Sequence, residues 1–302
     1  MSNLTESRLA NLLKSSKAIM NKVEENTYSR GNIDPSMLVS EIDGDEELVE
    51  KPMSRTNQVS RPQVNNNSQG YRNLGNTKMP STTFAISAKH CKVGSKLAKI
   101  EGSTCSRCYA LKLQKLRPSV DTGWTNNLFK AEKLIATNPK LWAKQMAFQI
   151  KRGCNKLGIF HHRWFDSGDL QSVEMLHAII LCCLETPDIK HWLPTREAKL
   201  VQTYRKRHGL EPDNLVIRVS ATMISDAPIK GHTHTSTVHK HKETVHGKEC
   251  LAYRTNKENI VVDLETFKAM SRPDKKEQDF GHCGDCRSCW SKDVANISYP
   301  LH

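Results

Sequence analysis

Across the latter three quarters of the chain, short apolar runs alternate with longer amphipathic stretches. Thr83–Ser87 predicts a strand, and Asn126–Thr137 and Leu141–Lys151 predict two helices parted at Asn138–Pro139. Leu157–Phe165 predicts the next strand. Ser172–Glu185 reads as a helix with Ser172 as N-cap and Thr186–Pro187 as its stop. Ile189–Leu193 is a strand, Ala198–His208 a basic helix closed by Gly209, and Asn214–Ser220 a further strand. Strands alternating with helices of this length predict an α/β fold. Its core is a parallel sheet with right-handed crossovers, a partial or complete (β/α) barrel.

The first quarter differs. Leu4, Leu9, Leu12, Leu13, Ile19, Met20 and Val23 recur at helical spacing, so residues 1–26 predict one amphipathic helix with Thr5 as its cap. Residues 27–75 run through prolines, an acidic cluster and a polar tract without periodicity, and read as a flexible, disordered linker. The helical and disordered N-terminal arm is thus distinct from an α/β domain over 76–230 and a segment over 231–302. That last segment carries a His-rich loop and a C-terminal cysteine group. Charge follows the same division. Residues 1–75 hold 9 Lys/Arg against 10 Asp/Glu, leaving 36 against 22 for the body. Of the whole chain's net +13, the body therefore carries +14 against −1 in the arm, and it favours an anionic partner, nucleic acid first among them. No apolar run is long enough to span a membrane and no charged-then-apolar leader is visible. The expectation is a cytoplasmic protein without membrane contact.

Polar residues gather where the strands end, the usual position of sites in parallel α/β folds. Asp166-Ser167-Gly168-Asp169 follows one strand, Pro194-Thr195-Arg196-Glu197 the next and Ser220-Ala221-Thr222 the last. Asp166, Asp169 and Arg196 are the candidate catalytic residues, Arg196 being suited to a carboxylate or phosphate. Helix capping is the competing reading for Thr195 and Ser220, and an ion pair with Glu197 or Asp169 for Arg196. On the strand before the acidic turn, His162 and Trp164 share one face, His161, Arg163 and Phe165 the other. The tract Gly231–His246, with five histidines among lysines and threonines, reads as a solvated loop. Neither a P-loop nor a Gly-x-Gly-x-x-Gly motif is present, which disfavours nucleotide hydrolysis and dinucleotide chemistry.

The chain has 10 cysteines. Without an export signal they point to thiolate ligands rather than disulfides. Cys91, Cys105 and Cys108 form one group after the first strand. Cys283, Cys286 and Cys289 form another in a tight Cys-x2-Cys-x2-Cys run, with Cys250 upstream as a fourth member. Zinc normally takes two separated pairs, whereas three cysteines in such a run resemble the grip on a 4Fe-4S cubane. Three thiolates leave one iron open and four close the cluster. One or two iron–sulfur clusters are therefore expected, with zinc, completed by His90 in the first group, as the alternative. Cys154, Cys182 and Cys183 read as core.

The motifs Cys105–Ala110, Arg163–Leu170, Trp192–Glu197 and Cys283–Trp290 together resemble the phage gene product 88 family over roughly residues 76–302. That resemblance implies a protein of a phage or prophage, working in the bacterial host cell. The chain also has a more distant resemblance to radical S-adenosylmethionine enzymes. It implies that Tyr109, beside Cys108, and Ser167 and Gly168 of the acidic turn bind S-adenosylmethionine. Thirteen residues between Cys91 and Cys105 depart from that family's Cys-x3-Cys-x2-Cys loop, and the turn is not its Gly-Gly-Glu-Pro. The expected function is a redox or radical enzyme acting on a nucleotide, nucleic acid or other anionic substrate. The alternative is a non-catalytic, zinc-stabilised protein that binds nucleic acid or a host factor. A host or phage protein is the expected partner of the N-terminal helix.

Overall fold

The computed structural model describes residues 78–240 and 243–301. The expected N-terminal helix, the linker and His241 lie outside the described residues. Seven strands form one sheet: β1 (Thr82–Phe84), β2 (His161–Trp164), β3 (Lys190–Thr195), β4 (Leu215–Ser220), β5 (Thr235–His239), β6 (Lys248–Glu249) and β7 (Asn296–Pro300). Their order is β1-β2-β3-β4-β5-β7-β6, and every neighbouring pair is parallel. The described helices are α1 (Lys92–Leu97), α2 (Tyr109–Leu116), α3 (Pro118–Thr137), α4 (Pro139–Leu157), α5 (Val173–Leu184), α6 (Ala198–His208), α7 (Leu264–Ala269) and α8 (Arg272–Glu277). The fold is α/β, as the alternation predicts.

The two faces of the sheet carry different chemistry. Phe84, Trp164, Leu193, Leu215, Ile217 and Val219 point to one face and pack against Leu128, Trp142, Met146, Ile150, Leu176 and Ile180 of the long helices. Phe84 meets Trp142 and Trp164 edge-on, with ring centroids 6.2 and 6.1 Å apart. Burying an aliphatic or aromatic side chain of this size contributes about 1.5–3 kcal/mol, so this layer anchors the domain. The expected core cysteines, Cys154, Cys182 and Cys183, are fully buried within it. Alternation sends Arg163, Trp192 and Arg218 to the opposite face. Residues 288–295 cover that face, with Trp290 edge-on to both Trp192 and His161.

Local rules account for the boundaries. Ser172 caps α5 by accepting from the Met175 amide, 3.0 Å away, and Asn138 caps α4 through Leu141. Helix α3 begins at Pro118 rather than Asn126, because proline is suited to a first helical turn. Helix α4 continues through Leu157 until Gly158, at φ 64°, ends it, so β2 starts only at His161. Strand β1 stops at Phe84, earlier than the sequence predicts, and Ile86 instead bonds the carbonyl of Ser167. The His-rich tract is the main correction. Thr235–His239 is not a solvated loop but a strand paired with both β4 and β7, and His234 and His239 are buried. The sheet therefore runs across residue 230 into the C-terminal segment.

His162, His191 and His177 are buried and kept neutral. Burial alone lowers His191 to about 3, while burial and a neighbouring histidine lower His177 to about 4 and His162 as well. Unfolded histidine titrates near 6.5, so the unfolded chain binds more protons below that pH. The stability these groups contribute is complete above about pH 6.5 and is lost as pH falls towards 4. Asp169, raised to about 6 by burial, acts in the opposite sense, but it stands against these three and His161, which burial, Arg287 and Lys190 lower to about 4. Thermal melts should therefore show a flat Tm above about pH 7 and a falling Tm between about pH 6.5 and 5, before ordinary carboxylates protonate. A constant Tm across that window would contradict the buried neutral histidines.

Candidate functional site

The segment from Cys91 to Cys108 is fastened across the ends of three strands. The Lys92 ammonium donates to the carbonyl of Gln171, beyond β2, at 2.6 Å. The Val93 amide donates to Glu197, beyond β3, at 2.8 Å. Thr104 donates to the carbonyls of Ala221 and Thr222 beyond β4, and Ser103 forms a bridge with Met223. The long gap between Cys91 and Cys105 is thus the length of chain that crosses the strand ends, forms α1 and returns.

This path brings the first three thiols together. Burial, Asp169 and the charges of Cys108 and Cys105 all raise the Cys91 thiol, and burial raises Cys105 while Arg196 lowers it. Gly94 of α1 leaves the cradle open. A Cβ there would lie 3.0 Å from the Cys91 Cβ and within 3.6 and 3.7 Å of the Cys105 and Cys91 sulfurs. His90, the expected completing ligand, is exposed and packs edge-on against Phe129.

The members of the second group lie within electrostatic reach of one another. Cys250 follows β6, its amide bonded to the carbonyl of Ser298, and the charges of Cys283 and Cys286 meet its own. Burial first, and then Cys250 and Cys286, push the Cys283 thiol up to about 11. Burial pushes Cys289 to about 12, and its sulfur lies 3.3 Å from the Tyr299 hydroxyl. Cys286 is the exposed member. The loop is braced by Asn259, whose side chain bonds Asp285 both ways, and by Arg287, which donates to the carbonyls of Gly284 and Cys286. Among the described residues no group of three or more His, Cys, Asp or Glu side chains is arranged to hold a single metal ion.

Arg218, absent from the expected set, organises this second group. It is fully buried on β4, and its guanidinium donates to five carbonyls: Cys289, Val294, Ala295, Ser288 and Ser291, at 2.8–3.4 Å. No carboxylate appears among these acceptors. Its signal in the sequence was the single charge inside the apolar run Leu215–Val219.

The expected catalytic residues take distinct roles. The carboxylate of Asp169 accepts from the Thr195 hydroxyl (2.6 Å), the Arg196 amide (2.9 Å) and the Leu170 amide (2.7 Å). It ties the end of β2 to the end of β3. Asp166 pairs with Arg163 at 3.0 Å, and its carbonyl accepts the Tyr109 hydroxyl. Gly168, at φ 85°, lets the turn pass Ile86, whose carbonyl oxygen would lie 2.8 Å from a Cβ. The Ser167 hydroxyl is buried without a partner. Arg196 donates from Nε to Thr104 at 3.0 Å and holds its charge beside Cys91 and Cys105. Tyr109, beside Cys108, is 58% exposed, while its hydroxyl is turned to the Asp166 carbonyl and raised by burial.

The profile of a family described as gene product 88 matches residues 52–292. The match begins earlier than the expected 76, inside the segment read as a linker. No curated protein and no solved structure matches the chain. The comparisons lend no support to the resemblance to radical S-adenosylmethionine enzymes. Among the described residues no helix is long and apolar enough to cross a membrane.

Two substitutions test this geometry. Gly168→Ala combines a left-handed backbone with a backbone clash and should cost about 2 kcal/mol or more in denaturant unfolding. Arg218→Met leaves buried carbonyls unmet and should cost about 3 kcal/mol or more. Limited proteolysis should then cut within residues 283–295, and an intact loop would refute the clamp.

Proposed function

This chain belongs to the gene product 88 family, and for it we propose a redox function carried by two iron–sulfur clusters on an α/β, barrel-like core. Cys91, Cys105 and Cys108 hold the open cluster, and Cys250, Cys283, Cys286 and Cys289 hold the closed one. The observation that carries this reading is the buried charge of Arg218. A guanidinium without a carboxylate is costly in a protein interior unless an anion stands near it, and the groups whose charge would meet it are Tyr299 and the Cys289 thiol. Four thiolates around a cluster supply that anion. Gly94 gives the parallel argument at the first group, by leaving space between two sulfurs where a side chain would stand.

Zinc is the weaker fit. Zinc–sulfur bonds of about 2.3 Å draw four tetrahedral ligands tightly around one ion. A cluster spreads its thiolates over several irons and needs no such convergence. The group supplies electron transfer, and at an open iron it supplies a position for a small ligand. This chain's own residues do the rest. Arg196 holds an anionic ligand beside the open position, Tyr109 lines the approach, and Asp169 fixes Arg196 and Thr195 at the strand ends. S-adenosylmethionine is one ligand to test there. The positive body favours nucleotide or nucleic-acid substrates in a bacterial host cell.

Anaerobically purified protein should be brown and contain iron and acid-labile sulfide. Cys105→Ala should lose about half of the iron yet remain folded, because that thiol belongs to one of two sites. Cys286→Ala should lose a similar fraction and also lower Tm, because its loop is part of the packed sheet cover. Gly94→Val should empty the first site alone. Colourless protein with stoichiometric zinc and no sulfide would overturn the reading.

A further inference from the structure

Arg163 stands between the two cysteine groups. It projects from β2 on the face that carries Trp192 and Arg218, and its guanidinium carbon lies 4.7 Å from the Trp192 ring centroid. One end pairs with Asp166 at 3.0 Å. The carbonyl of Asp166 accepts from Tyr109, the residue after Cys108. The same guanidinium is within electrostatic reach of Tyr299 and Cys289, and its charge favours the Cys283 thiolate. Tyr299 in turn contacts the Cys289 sulfur. Direct contacts therefore lead from Arg163 to both groups. The Trp192 ring beneath it meets Trp290, the residue after Cys289, with ring centroids 5.4 Å apart, and its partner Asp166 accepts from Tyr109, the residue after Cys108.

Half-buried Arg163 and fully buried Arg218 differ in what remains to them. Arg218 has spent its donors on carbonyls, so it can offer the second group only its charge. Arg163 keeps a buried Nε–H without any acceptor. A buried donor without a partner costs about 1–3 kcal/mol, and a sulfur ligand would satisfy it. Hydrogen bonds to cluster sulfurs and nearby positive charge both favour the reduced, more negative cluster.

We propose that Arg163 is a positioning residue that sets the reduction potential of the Cys250/Cys283/Cys286/Cys289 cluster, and that Asp166 limits how much of its charge reaches that cluster. This rests on the cluster reading above. The pair makes opposite predictions for its two members. Removing the cation removes stabilisation of the reduced state. Removing the carboxylate leaves the cation uncompensated.

The test is redox titration of the full chain, followed by electron paramagnetic resonance, with iron and sulfide measured on each sample first. Arg163→Gln should titrate at more negative potential than the wild type, and Asp166→Asn at more positive potential, both with full iron content. General loosening of the site would move both in one direction, so opposite signs separate tuning from simple disruption. An unchanged or more positive potential in Arg163→Gln at full loading overturns the proposal. Should Arg163→Gln fail to load, the Asp166→Asn result decides: a positive shift supports the proposal, and no shift or a negative one overturns it. A wild type holding zinc without sulfide overturns the cluster reading itself and this inference with it, an outcome the metal assay identifies before any titration.

Discussion

A single buried cation fastens the C-terminal segment to the sheet. Arg218 sits mid-strand, and its guanidinium gathers the carbonyls of residues 288–295 into a fan around one point. Those carbonyls belong to a loop that has little regular structure with which to satisfy itself. Buried acceptors must be met somewhere, so the loop's path is dictated by where the guanidinium stands. The same contact fixes Cys289 and places Trp290 against Trp192 and His161. The Trp290 indole then donates to the carbonyl of His162 at 2.9 Å, which ties the cysteine loop to β2 as well. Cover, cysteine placement and the charge balance of this face therefore depend on one side chain.

The first group is built by a different means. There the chain is held by many separate bonds from one long loop to three strand ends, each replaceable, together precise. Asp169 is the centre of that arrangement without facing an opening. Its oxygens are occupied by Thr195, Arg196 and its own neighbour Leu170, so it aligns the two strand ends from which Arg196 and Glu197 depart. Glu197 receives the Val93 amide and Arg196 reaches Thr104. The cradle is thus fastened on its strand side through Glu197 and Arg196.

The elements that could be read from the sequence are those whose identity is local. Helices α5 and α6 carry their own stops, and β4 is an apolar run that no helix period explains. Cysteine spacing was equally local in the second group, where two-residue gaps suffice to bring thiols together. The His-rich strand was hidden because its burial comes from β4 and β7 on either side, not from its own side chains. Thr235, Thr237 and His239 are polar residues whose hydroxyl and ring partners, Asn296 and Ser298, lie some sixty positions away. The role of Asp169 was hidden for a related reason. A sequence shows that a carboxylate follows a strand, and only the fold shows that its oxygens are already engaged. Arg163 shares a face with His161 as alternation predicts, but Phe165, expected on that face, has φ 55° and turns into the core beside Phe84. Which face met the cysteines depended on Trp290, far along the chain.

The thiol chemistry and the surplus of positive charge are two sides of one constraint. Burial raises the proton affinity of Cys91, Cys105, Cys250, Cys283 and Cys289, so the protein alone holds these thiols neutral. Metal binding needs thiolates and must release those protons. The energetic penalty of charging several sulfurs in a confined space would be prohibitive without cations at fixed positions. Arg196 serves the first group, and Arg163, Arg218 and Arg287 serve the second. Arg163 already has Asp166 as a partner, whereas Arg218 has only carbonyls, so thiolates formed beside it would supply the missing negative charge. On the proposed cluster reading, loading and folding would be linked: a ligand that binds the thiolates would also offset the buried Arg218 charge and so stabilise the sheet cover it holds.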